Sequence, residues 1–268
     1  MLPRDLTFWD YCLATNALRK AFVAALVAGL YCLLPLWKEH SNFHQLADHA
    51  SIVYSGPELL LGLLLVLRSN AAYQRWWEGR TLWGKLVNIS RNLVIKAETL
   101  LDITEEDQSR LREHVRQFAV ELKDHLRTDP TQPLTSAGHL PNQRMRKIYS
   151  LLNSWRAKHL LSDDLMRVLD SEAREFLEVC GGCERIQRTP LAKSFRLFLY
   201  QGIALVLVLL PWSLVSEIGA WTVPLTMVHA YILVGLQVLS GTVEDPFGTE
   251  SDDLDLDGIS RTIANTLE

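Results

Sequence analysis

The sequence predicts an all-α membrane protein: four transmembrane helices and a cytosolic helical bundle. Three observations predict it. Apolar residues make up 48% of the 268 residues and are gathered into blocks, so a chain whose mean hydropathy is only +0.06 still holds runs fit for a bilayer. Between the blocks, apolar residues recur at helical spacing on otherwise charged stretches. In residues 57–93, PELLLGLLLVLRSNAAYQRWWEGRTLWGKLVNISRNL, an apolar run passes directly into a basic, tryptophan-rich one. A continuous helix suits both halves because it satisfies every backbone group in lipid and in water.

The first apolar block, 21–37, follows Arg19 and Lys20 as a signal peptide would, but bulky Leu34, Pro35, Leu36 and Trp37 leave no small-residue cleavage site. It is predicted to remain as a span. The second, 52–67, carries Pro57 and is about 16 residues long, short of the ~20 that cross a hydrocarbon core, so it spans only where protein shields it. The third and fourth are 197–215 and 220–243, with Trp212 and Trp221 where an interfacial aromatic belt belongs.

Basic residues orient the spans. Arg4, Arg19 and Lys20 precede the first, Arg68, Arg75, Arg80, Lys85, Arg91 and Lys96 follow the second, and Arg185, Arg188, Lys193 and Arg196 precede the third. The loops at 38–51 and 212–222 offer only Lys38, which places both termini in the cytoplasm. Residues 68–196 are then a cytosolic helical region and 244–268 a tail, all within one membrane-integrated domain over 1–268. In the cytosolic region Leu111, Val115, Phe118, Leu122 and Leu126 form one helical stripe, and Leu161, Leu165, Val168 and Leu169 another. Pro130, Pro133, Gly138 and Pro141 mark a loop over 128–142.

Composition narrows the function. A net charge of -4 gives no nucleic-acid footprint. Cys12, Cys32, Cys180 and Cys183 are too few and scattered for a disulfide framework and are expected to be free thiols. The pair Cys180 and Cys183 has redox or zinc-ligand spacing, but no further ligands stand at comparable spacing. His40 and His44, four apart, read as solvated loop residues. No HExxH, nucleophile elbow or phosphate-binding glycine loop occurs, so neither an enzyme nor a cofactor is expected.

The second span carries the functional signal. Leu59, Leu63 and Leu67 are four apart and stack on one helix face, where a narrow ring of such side chains can gate ions by excluding water. Leucine dominates the segment, so a packing stripe reads the same way. Glu58 adds weight to a pore, because an ionisable residue at a membrane edge usually faces a bundle interior or aqueous cavity; snorkelling to the interface is its other reading.

The string Arg68-Ser69-Asn70-Ala71-Ala72-Tyr73-Gln74-Arg75-Trp76-Trp77-Glu78-Gly79-Arg80, continuing through Leu82-Trp83-Gly84 to Ser90-Arg91-Asn92, resembles the signature of bacterial bestrophins. Gly182-Cys183-Glu184-Arg185-Ile186 with Thr189-Pro190-Leu191, and Glu244-Asp245-Pro246-Phe247-Gly248 with Asp252-Asp253-Leu254, agree in order. The resemblance implies a homopentamer in the bacterial cytoplasmic (inner) membrane, five second spans around one axial pore for monovalent ions, and a cytosolic vestibule. It places Leu59, Leu63 and Leu67 at the family's hydrophobic neck, though other members carry isoleucine and phenylalanine there. It also implies a constriction at the cytosolic mouth, for which Leu165 and Val168 are candidates.

Five copies of Glu58 at the outer vestibule predict a preference for monovalent cations. The alternatives are an anion channel, as animal bestrophins are, and a non-conducting membrane adaptor for a cytosolic partner. Trp76, Trp77 and Trp83 are expected to pack between helices, Glu78 belongs to the same packing signature, and Arg75, Arg80 and Arg91 are expected to form ion pairs or cap carbonyls.

In the tail, Asp253, Asp255, Asp257 and Gly258 match the opening of an EF-hand loop, but Ala264 stands where its glutamate is required. Animal members bind calcium near this point, which leaves Asp252, Asp253 and Asp255 as weak candidates while no resident metal is expected. The plainer reading wraps the tail around a neighbouring subunit through Leu254, Leu256 and Ile259 and pairs its acids with the basic face of 68–96.

Overall fold

A computed structural model describes residues 15–39, 50–128 and 138–268, with 50–57 described by backbone alone. Every regular element among them is helical: α1 (Asn16–Tyr31), α2 (Leu33–Glu39), α3 (Ala50–Leu100), α4 (Glu105–Leu126), α5 (Leu140–Ala157), α6 (Asp163–Arg188), α7 (Lys193–Ile218), a 3₁₀ turn (Gly219–Trp221), α8 (Thr222–Glu244) and α9 (Leu256–Thr266). The chain divides into two compact units, Met1–Gln74 with Leu191–Glu244, and Arg75–Pro190 with Asp245–Glu268.

In the first unit, α1 turns small residues inward and large apolar ones outward. Thr15 starts α1 by accepting the Leu18 N–H on its hydroxyl at 3.3 Å. Ala17, Ala21, Ala25, Ala28 and Gly29 form the buried face of α1, which packs along α8. A Cβ at Gly29 would stand 2.8 Å from the Met227 side chain, so glycine is what lets the helices approach. Val23, Val27, Leu30, Leu34 and Trp37 face outward, the inverse of a water-soluble surface. Leu61 and Leu65 of α3 close a second cluster with Leu199, Ile203 and Val206 of α7.

Two helical stretches among the described residues are long and apolar enough to cross a membrane, Asn16–Glu39 and Lys193–Glu244. The second has 52 residues, more than twice the ~20 a single crossing needs, and it turns back at Gly219, whose φ of 55° suits a residue without Cβ. The apolar block at 52–67 lies inside α3, whose 51 residues run from the first unit into the second without a break.

The second unit is a helical bundle with an ordinary core. Thr104 and Ser162 cap α4 and α6, each accepting a backbone N–H and each followed by acids in the first turn. Leu111, Val115, Phe118, Leu122 and Leu126 are buried as one face of α4, and Phe118 meets Phe176 edge-on at 5.1 Å. Helix α5 begins at Leu140, inside the predicted loop, because Pro141 fits a first turn and His139 supplies the cap.

The tail corrects one expectation. Leu254 and Leu256 are buried in this chain's own core, with Ile259 packed beside them, instead of on a neighbour. Asp257 pairs with Lys123 of α4 and with Arg127, the residue that ends it, at 2.7 and 2.9 Å, not with the basic face of 68–96. The apolar period of α9 defined a face; it held no information about which helix would cover it.

Candidate functional site: the exposed leucine face of α3 and the helix ends it supports

In the first unit, α3 presents two faces. Leu61, Leu65, Arg68 and Ala72 follow helical spacing and are buried within the chain. Leu59, Leu63 and Leu67 lie on another side and are 77%, 55% and 53% exposed, an apolar stripe that the described residues leave largely uncovered. Gly62 beside them has open space where a Cβ would stand.

Glu58, one residue before the stripe, has its Oε1 3.3 Å from Nε2 of His229 on α8. The carboxylate therefore has a partner within its own chain, at a separation that no motif marks. At the other end of the stripe the Arg68 guanidinium lies 3.4 Å from the Glu244 carboxylate, and Glu244 also accepts the Leu191 N–H at 3.0 Å. Ser69 and Ser240 hydroxyls bond at 2.7 Å one helical position away.

In the second unit the signature residues act on the ends of other elements. Arg75 donates to the carbonyls of Thr189 and Ile186, both at 2.5 Å, and so closes the C-terminus of α6. Trp76 donates its indole N–H to the Asp252 carbonyl at 3.2 Å, and Glu78 pairs with Arg185. Trp83 is fully buried, whereas Trp77 is exposed; Arg91 bonds Asn88 at 3.3 Å. Gly79 admits Phe247 and Leu254, which would meet a Cβ at 3.2 and 3.3 Å.

Leu165 is partly buried against the core of the second unit, and Val168 is exposed on the same helix. Of the acidic candidates, Asp253 accepts the Glu250 N–H at 2.7 Å and Asp255 caps α9 by accepting the Gly258 N–H at 2.7 Å. Those carboxylates serve loop and helix geometry. His40, His44 and Cys12 lie outside the described residues. Cys32, Cys180 and Cys183 are buried free thiols.

Sequence reasoning missed a polar cluster in the second unit. His125, in the last turn of α4, and His139, the cap of α5, both place Nε2 2.8 Å from Oε1 of Glu184 on α6. The hydrogen bond from His125, aided by His139 and opposed by burial, holds the Glu184 carboxyl below the usual carboxylate range. Burial first, and the Glu184 charge second, pushes the Cys180 and Cys183 thiols well above theirs. Glu184 belongs to the signature stretch 182–186, but its histidines stand 59 and 45 residues away and follow no motif.

A family model described as Bacterial/Fungal Bestrophin protein matches residues 4–268. The chain belongs to that bestrophin family. Among its relatives is a voltage-dependent anion channel-forming protein of Mesorhizobium japonicum, 37% identical over 214 residues, covering 75% of this chain and 69% of the relative. The voltage-dependent anion channel-forming protein YneE of Escherichia coli K12 is 31% identical over 237 residues, covering 80% and 76%. A crystal structure of a bacterial bestrophin homologue from Klebsiella pneumoniae, solved as a point mutant, superposes with a TM-score of 0.85 at 27% identity, covering 92% of this chain and 97% of that one. The bestrophin assignment makes this a helical membrane protein of a channel family, in agreement with its outward-facing apolar helices.

Proposed function

We propose that this bestrophin assembles as a homopentamer around an axial pore and passes monovalent ions, anions in preference to cations. The observation that carries the reading is the stripe of Leu59, Leu63 and Leu67, left more than half exposed by the described residues on a helix whose other face, through Leu61, Leu65, Arg68 and Ala72, is buried. Five such stripes around one axis bury the leucines against one another and leave a constriction that excludes water unless it widens. The 52–67 block, short for a bilayer, is then shielded by α1, α7 and α8, giving four spans. The basic flanks put both termini and residues 68–196 on the cytoplasmic side of the inner membrane. Leu165 and Val168 remain proposed for the cytosolic constriction.

The names of the relatives, anion channel-forming proteins, support the anion reading over a cation filter. The Glu58–His229 contact supports it too: a carboxylate with a cationic partner when the histidine is protonated contributes less negative potential than five free acids. The cation reading retains one observation, that the Glu58 side chain is still 32% exposed. Purified protein in planar bilayers under a KCl gradient separates the readings. A reversal potential toward that of chloride is expected; one toward potassium overturns anion preference, and absence of conductance leaves the adaptor.

A further inference from the structure

We propose that His125, His139, Glu184 and Cys180 form a binding site for a zinc-class divalent cation. The side chains come from the end of α4, the cap of α5 and the middle of α6; His125, His139 and Glu184 meet at one point, and Cys180, one turn before Glu184 on α6, flanks it. Glu184 Oε1 is 2.8 Å from Nε2 of each histidine and 3.7 Å from the Cys180 Sγ. One ring nitrogen from each histidine and one carboxylate oxygen of Glu184 lie within 4.8 Å of one another. The side chains are 10%, 8% and 17% exposed, so the groups are held away from water yet reachable.

The donor set selects the ion. Two imidazoles, a carboxylate and a thiol suit tetrahedral zinc and its close relatives, while calcium and magnesium require oxygen ligands. Zinc bonds of about 2.1 Å to oxygen and 2.3 Å to sulfur give a tetrahedral oxygen–sulfur edge of about 3.6 Å, beside the 3.7 Å present between Glu184 and Cys180. The nitrogen–oxygen edges must open from 2.8 Å to about 3.4 Å, the change that replaces two hydrogen bonds by two metal bonds.

Loading has a defined proton balance. The Cys180 thiol releases its proton to solvent as the sulfur binds. His139 accepts the Asn142 N–H on Nδ1 at 3.2 Å, so the neutral ring carries its proton on Nε2. Binding through Nε2 moves that proton to Nδ1 and opens the cap at the start of α5, which couples the ion to that helix end.

The test uses full-length protein in detergent, stripped with chelator and reloaded with zinc or cobalt(II), with metal counted per chain after gel filtration. One ion per chain is expected. His125→Gln and Glu184→Gln, with unchanged far-ultraviolet circular dichroism, should lose more affinity than the roughly 10–100-fold that removal of an outer hydrogen-bond partner costs. Cobalt should show a thiolate charge-transfer band that Cys180→Ser abolishes. No retained ion, an ion held equally by both glutamine variants, or cobalt binding without that band overturns the site.

Discussion

The Arg68 guanidinium and the Glu244 carboxylate lie 3.4 Å apart at 1% and 6% exposure, joining α3 to the end of α8. Arg68 Nε and Nη1 have no hydrogen-bond partner among the described residues, so Glu244 supplies the countercharge for a sealed cation. Glu244→Gln keeps an acceptor for the Leu191 N–H and removes only the charge. It is expected to cost about 3–5 kcal/mol, because an uncompensated buried charge is left behind. Replacing both residues, Arg68→Met with Glu244→Leu, should recover most of that loss. Thermal unfolding in detergent of the single and double variants checks it; equal losses would refute the pairing.

Arg75 makes a second, separable prediction. Its two N–H groups reach the Ile186 and Thr189 carbonyls, a fork that lysine cannot reproduce. Arg75→Lys should weaken the C-terminus of α6 by about 1.5–3 kcal/mol. The effect should be read as faster amide exchange over the last turn of that helix, with the buried centre around Phe176 unchanged.

What could be read from the sequence followed from periodicity and end chemistry. The α4 face from Leu111 to Leu126 was legible because five apolar residues repeat on a charged background; for Arg75 the sequence left ion pairing and carbonyl capping open, and the structure shows it donating to two carbonyls. Partner identity was not legible. The tail's apolar face was visible, but that it would dock on its own α4 through Asp257, Lys123 and Arg127 depended on three-dimensional return of the chain. The same holds for Glu58 with His229 and for Glu184 with His125 and His139, pairs separated by long stretches with no shared motif.

The two faces of α3 should respond oppositely to truncation. Leu65 is fully buried in the cluster with Leu199 and Ile203, so Leu65→Ala should destabilise the protein by about 2–5 kcal/mol. Leu63 is 55% exposed within the chain, and under the proposed pore Leu63→Ser should cost less stability than Leu65→Ala while raising conductance, since a hydroxyl ring lowers the dewetting barrier. Bilayer recording and thermal unfolding of both variants provide the comparison. A Leu63→Ser channel with unaltered conductance would place the constriction elsewhere.

The tail's attachment should depend on acid pH. Hydrogen bonds from Lys123, then Arg127, hold the Asp257 carboxyl below its ordinary range. An acid whose carboxylate is favoured in the fold contributes stability that is complete above its unfolded pKa, near 3.9, and drains away as pH falls through the lower folded value. Asp257 is half exposed, so solvent screening limits the contribution to about 0.2–1 kcal/mol for each ion pair. Comparing the unfolding midpoint of the native chain with Asp257→Asn across pH isolates this one group. The gap should be constant above about pH 5 and close as the pH drops below about 4. A gap that persists at still lower pH would mean that the asparagine acts through packing of α9 and not through the lost charge.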